Sequence, residues 1–104
     1  MATVKNISGG EFDAAVARGV VLADFWAPWC SSCKMLGSIL DQAAKDIPDS
    51  VTIVKLNVDE CKELAAKLNV GTLPTLMLYK DGAVVKEMTG LQSRAKLVEL
   101  LTNA

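Results

Sequence analysis

Two thiols three positions apart, Cys30 and Cys33 in the stretch ADFWAPWCSSCKML over residues 23–36, can form and break a disulfide without refolding the chain. With Cys30 at the N-cap of a helix, Cys33 falls at N3, one turn on, and the two Cβ atoms lie roughly 5 Å apart. A disulfide needs roughly 3.5 to 4.5 Å, so a small local adjustment closes it. A loop this short constrains the unfolded chain very little, which suits a reversible redox pair more than a structural staple. The free N–H groups and the positive end of the helix dipole stabilise an anion at Cys30, so Cys30 is expected to be the more acidic thiol. Cys33, one turn inside, keeps its proton until another group takes it. Lys34 either adds local positive charge or is an ordinary solvated helix residue.

The chain contains no histidine, so acid-base work falls to Asp, Glu, Lys, Tyr or Cys. Asp24 stands out, a carboxylate inside the apolar run VVLADFW, residues 20–26, with no obvious local partner. Buried Asp is rare unless paired or functional, and the plain alternative is a strand that ends early and exposes it. Lys55 is the same anomaly inside TIVKLNV, and if the two strands are neighbours Asp24 and Lys55 can satisfy each other. Burial raises a carboxyl pKa and a nearby ammonium lowers it, so the two causes oppose and the net value is not readable from sequence; a carboxylate tuned towards neutral pH just behind Cys33 could accept its proton. Cys61 shares a helical face with Leu64 and Leu68 and reads as a small buried hydrophobe. Three cysteines and no histidine leave a zinc or iron-sulfur site one ligand short, so no metal is expected.

The elements that hold these residues follow from periodicity. Ser8 and Glu11 make an S-x-x-E start signal, and Phe12, Ala15 and Val16 recur at helical spacing up to Gly19. Residues 20–26 read as a strand buried on both faces. Met35, Leu36, Ile39, Leu40, Ala43 and Ile47 form the apolar stripe of a long helix stopped by Pro48. Residues 51–58, VTIVKLNV, are a second buried strand, and Asp59 is a cap candidate for a helix carrying Cys61, Leu64, Ala65 and Leu68. Past Gly71, two β-rich runs, residues 74–79 and 83–88, flank Lys80-Asp81-Gly82 and predict an antiparallel hairpin. Ser93 then caps a last helix with Leu97, Val98, Leu100 and Leu101. The pattern predicts an α/β fold, a central mixed sheet with helices on both faces.

At 104 residues, 51% apolar and 22% charged, the chain fits one globular domain over residues 1–104. Its net charge of −1, with scattered lysines and arginines, offers no basic stripe for nucleic acid. No apolar run approaches the roughly 18 residues of a membrane span, and MATVKNIS lacks a signal-peptide core, so a cytoplasmic protein is expected. The odd cysteine count fits a reducing compartment.

DFWAPWCSSCKM, with VKLNVD, GTLPTLMLYKDG and the late Gly90, resembles the thioredoxin family along essentially the whole chain. The resemblance implies a thioredoxin fold and a protein-disulfide reductase with no bound cofactor, cycling through a redox-active Cys30–Cys33 disulfide. Cys30 would attack a substrate protein disulfide, Cys33 would resolve the mixed disulfide, Asp24 would take the Cys33 proton and Lys55 would be its partner. Pro74 matches the family's cis-proline, and Leu73 before it would offer backbone hydrogen bonds to substrate. Trp26 and Trp29 match the aromatics beside the site, with Trp29, Gly71, Leu73 and Gly90 forming an apolar rim. Partners would be disulfide-containing proteins and a thioredoxin reductase, NADPH- or ferredoxin-linked, serving a monomer. The chain departs from the family at Ser31 and Ser32, where Gly-Pro is typical, and at Ser38, where a helix-kinking proline is common. The two hydroxyls favour the reduced pair and so a weaker reductant than ordinary thioredoxin. Two further readings remain open, a disulfide isomerase or oxidant and a non-enzymatic binding subunit that uses the rim alone.

Overall fold

The computed structural model describes residues 1–104. Five strands, β1 (Thr3–Asn6), β2 (Val20–Trp26), β3 (Val51–Asn57), β4 (Thr75–Lys80) and β5 (Ala83–Thr89), form one sheet in the order β1-β3-β2-β4-β5. β1, β3 and β2 run parallel, while β4 and β5 are antiparallel to their neighbours. The helices are α1 (Phe12–Val16), α2 (Ser31–Ala43), α3 (Lys62–Lys67) and α4 (Arg94–Thr102).

Side chains alternate across a strand, and here both faces are covered, which is why the central strands read as continuous apolar runs. From β2, Leu22 joins Ile53, Leu76 and Leu78 on the face packed by Leu36 and Leu40 of α2 and Leu97 and Leu101 of α4. Val21, Ala23 and Phe25 join Val54, Leu56, Met77 and Tyr79 on the other face, under Phe12 and Val16 of α1 and Leu64 of α3. The expected mixed sheet with helices on both faces is the architecture observed.

The turn chemistry also follows from sequence. Asp81 and Gly82 both have positive φ, 49° and 87°, as a two-residue hairpin loop of the favoured type requires. The Glu11 carboxylate accepts from the Ser8 N–H at 2.9 Å, and the Ser93 hydroxyl accepts from the Lys96 N–H at 3.2 Å.

Three elements differ from the sequence reading. β1 carries no apolar alternation and is an exposed edge strand, paired only with β3. The α2 helix ends at Ala43 and tightens into a 3-10 turn over Ala44–Asp46, so Ile47 is buried just beyond it. The α3 helix begins at Lys62 with Cys61, not Asp59, at its N-cap, because the Asp59 carboxylate is engaged elsewhere.

Candidate active site

The strand β2 delivers the chain to the C-terminal edge of the sheet, and Ala27 to Trp29 turn it into α2. Cys30 is the N-cap of α2, with extended backbone (φ −99°, ψ 108°), and its Sγ accepts from the Cys33 N–H at 3.2 Å. Cys30 and Cys33 are joined in a disulfide, their Cα atoms 5.2 Å apart. Both are largely buried beside Ala27 and Leu73. One of the orphan N–H groups of the helix start therefore points at sulfur, as the sequence predicts for an anion-stabilising position. Ser32 Oγ lies 3.4 Å from Cys30 Sγ, close enough for the hydroxyl to donate to it. Ser31 is exposed, and the Ser38 hydroxyl donates back to the Lys34 carbonyl at 3.5 Å.

A groove of about 500 Å³ runs beside the disulfide, lined by Trp29, Cys30, Val58, Val70, Gly71 and Leu73 among others. Trp29 is 71% exposed, and its indole N–H donates to the Asp59 carboxylate at 3.1 and 3.3 Å. The Leu73–Pro74 peptide is cis, and the Pro74 carbonyl accepts from the Gly90 N–H at 2.9 Å. Gly90 has φ 80°, a conformation that suits glycine, and so it braces the proline loop from β5's far end instead of lining the groove. Trp29, Gly71 and Leu73 line this groove together. Gly90 joins them only through Pro74.

Behind the disulfide, Asp24 is 1% exposed, and its Oδ1 has no hydrogen-bond partner. Burial pushes its carboxyl up to about 7, with the Lys55 ammonium pulling the other way. Asp24 and Lys55 are register partners on the parallel strands β2 and β3. They do not satisfy each other by contact, which corrects the expectation of a direct pair. Lys55 reaches outwards, and its Nζ lies 3.4 Å from Asp41 Oδ1 on α2. Asp24, Cys33, Lys55 and Asp41 share one cavity of about 340 Å³ with Asn6 and Trp26. The Trp26 indole N–H is also buried without a partner.

Cys61 differs from the core residue expected of it. It is half-buried, its thiol donates to the Asn57 carbonyl at 3.2 Å, and burial, then the neighbouring Glu60 charge, pushes the thiol pKa up. No group of three or more His, Cys, Asp or Glu side chains is placed to hold a metal ion, and no helix is long and apolar enough to cross a membrane.

Sequence reasoning misses Asp41 and Asp59 as site residues. Asp41 lies eight residues after Cys33, on the same face of α2 through Gly37, a spacing visible in the sequence. Asp59 reads there only as a helix cap.

A mixed five-stranded sheet with a dithiol-disulfide pair at a helix N-terminus, an apolar groove in front and a buried carboxyl behind defines a thiol-disulfide exchange protein. The family model described as Thioredoxin matches residues 3–103. A thioredoxin of Bacillus subtilis is 45% identical over 101 residues, covering 97% of this chain and 96% of that protein. A Staphylococcus aureus thioredoxin is 44% identical with the same coverage. Among solved structures, a mutant thioredoxin from Halobacterium salinarum NRC-1 superposes with a TM-score of 0.86 at 35% identity, covering 97% of this chain and 89% of that one. Chloroplastic thioredoxin z gives 0.88 at 29% identity, covering 99% and 95%. The chain belongs to the thioredoxin family. Its activity is thioredoxin-type dithiol-disulfide exchange, a protein-disulfide reductase working through a redox-active disulfide, with disulfide substrates and a thioredoxin reductase as the partners the family implies.

Proposed function

We propose that Cys30 is the attacking sulfur, Cys33 the resolving one, and Asp24 the acceptor of the Cys33 proton. The observation that carries this reading is the shared cavity that sets the buried Asp24 carboxyl behind Cys33 while Cys30 faces the groove. In the reduced protein the Cys30 thiolate attacks one sulfur of a substrate disulfide and expels the other as a thiolate. The Cys33 sulfur then attacks Cys30 Sγ, its proton passes to Asp24, and the second substrate sulfur leaves as a thiolate. The Cys30–Cys33 disulfide is formed, and the substrate has gained two electrons. Helix-terminus stabilisation of an anion contributes on the order of 0.3 to 1 kcal/mol at such a position.

Trp29, Gly71 and Leu73 receive the substrate chain along the groove, Pro74 holds Leu73 against the disulfide, and Gly90 fixes Pro74. Lys55 tunes Asp24 by its charge. The chain works as a monomer in the cytoplasm, re-reduced by an NADPH- or ferredoxin-linked thioredoxin reductase. Incubating Cys33→Ser with a disulfide substrate tests the assignment. A trapped mixed disulfide at Cys30 is expected, and a trap at Cys61, or insulin reduction by Cys30→Ser at the wild-type rate, overturns it.

One contact favours a second reading, a weaker reductant with isomerase character. The Ser32 hydroxyl beside Cys30 Sγ donates more strongly to a thiolate than to a disulfide sulfur, because hydrogen bonds to charged acceptors are roughly twice as strong. A differential gain of about 1 kcal/mol in the reduced form raises the potential by about 20 mV.

A further inference from the structure

Lys55 is the only cation within the cavity wall besides Lys34, and its direction decides what charge Asp24 feels. Both Asp24 and Lys55 point to the α2 side of the sheet from matched positions on β2 and β3. Asp24 Oδ1 has no hydrogen-bond partner, yet the ammonium makes its contact with Asp41 Oδ1, at 3.4 Å. At Gly37 a Cβ would sit 3.7 Å from Lys55 Nζ, an ordinary van der Waals distance, so the ammonium runs alongside this point of α2. Cys33, Gly37 and Asp41 recur at i, i+4 and i+8 on one stripe of α2, so resolving thiol, glycine and carboxylate follow one another along the cavity.

We propose that Asp41 is a positioning residue for the dithiol cycle, whose carboxylate holds the Lys55 ammonium at the cavity mouth and away from Asp24. The proposal rests on the reading of Asp24 as the acceptor of the Cys33 proton. An ammonium in direct contact would keep Asp24 ionised and make it a poor base near neutral pH. Held by Asp41, Lys55 acts on Asp24 only at a distance, and the carboxyl stays able to take up and release a proton. The groups facing Asp24 are few. The α2 helix contributes Cys33, Lys34 and Asp41, β3 contributes Lys55, β1 the neutral Asn6, and β4 sets Leu76 beside it. Asp41 is largely exposed, so its replacement leaves the core intact.

The test reads the Asp24 carboxyl by isotope-edited NMR across pH in Asp41→Asn, and the acid limb of insulin reduction in the same variant. Release of Lys55 towards Asp24 is expected to lower the Asp24 midpoint by about 1 pH unit, a tenfold change in its protonation equilibrium, and to move the acid limb down with it. In a Lys55→Gln background Asp41→Asn is expected to leave the midpoint unchanged, because Asp41 acts through Lys55. An unchanged midpoint in the wild-type background overturns the proposal. An equal shift in both backgrounds also overturns it, since simple repulsion between the two carboxylates then accounts for the effect. A shifted Asp24 midpoint with an unmoved acid limb overturns the underlying reading of Asp24 as the proton acceptor, and a pH profile unaltered by Asp24→Asn identifies that failure separately.

Discussion

Replacing Asp24 by Asn isolates the cost of its burial, and that cost depends on pH in a way few substitutions can imitate. In the folded, oxidised protein the Asp24 carboxyl is buried and pushed up to about 7 from an ordinary value of 3.8. Below about pH 4 both the folded and the unfolded chain hold the proton, and the wild type and Asp24→Asn differ only as one neutral group from another. Between about 4 and 7 the unfolded chain has lost the proton and the folded chain keeps it, so wild-type stability falls as pH rises, by about 1.4 kcal/mol per unit. Above about 7 both states are ionised and the penalty is constant. Moving the midpoint from 3.8 to about 7 sets it on the order of 4 kcal/mol. Asp24→Asn has no such slope. Urea unfolding of both proteins in oxidised form, at intervals from about pH 4 to about pH 9, gives the difference directly, since the other carboxylates are common to both and cancel. The variant is expected to gain on the wild type steadily through that window and to hold a gain of about 2 to 4 kcal/mol at about pH 8, at the same time as its disulfide reduction slows. Parallel stability curves for the two proteins would refute the reasoning, because a carboxyl that ionises alike in folded and unfolded chains does not have the raised basicity assigned to the carboxylate behind Cys33.

The remaining expectations concern the front of the site. Ser32→Pro removes the hydroxyl beside Cys30 Sγ at an N2 position whose N–H has no partner within the helix, so the redox potential, measured by equilibration against glutathione, is expected to fall by about 20 to 40 mV with the fold unchanged. Trp29→Ala removes an exposed ring and its bond to Asp59, and is expected to raise the insulin KM about tenfold while the Tm moves by no more than about 4 °C.

What could be read from the sequence depended on how local its physical cause was. The Cys30 and Cys33 placement follows from the first turn of one helix, and the hairpin from Asp81-Gly82, so both are legible without knowing any neighbour. The two-sided burial of β2 and β3 shows in their composition, because parallel strands between helix layers need apolar residues on both faces. β1 has no such mark. At four residues, mostly exposed, it pairs along one edge only, and its sequence TVKN satisfies the constraints on an edge strand without announcing a strand. Asp59 is a comparable case, since a carboxylate before a helix is an ordinary cap until an indole N–H 30 residues away takes it.

Asp24 and Lys55 show where the limit lies. Their being side by side is fixed by the parallel register of β2 and β3, which two nearly continuous apolar runs do not specify by themselves. Whether side by side means paired is a different matter, because a lysine carries its charge at the end of four methylenes and chooses among every anion within that reach. Here the choice lies between a buried carboxylate, which must be kept ionised at a desolvation cost, and the exposed Asp41, which incurs none. The exposed partner wins contact at 3.4 Å, and the buried one is left close to neutrality. A charge-burial rule applied to strands alone predicts the pair. The same rule with the facing stripe of α2 included predicts the separation, and that separation is what leaves a protonatable group behind the resolving cysteine.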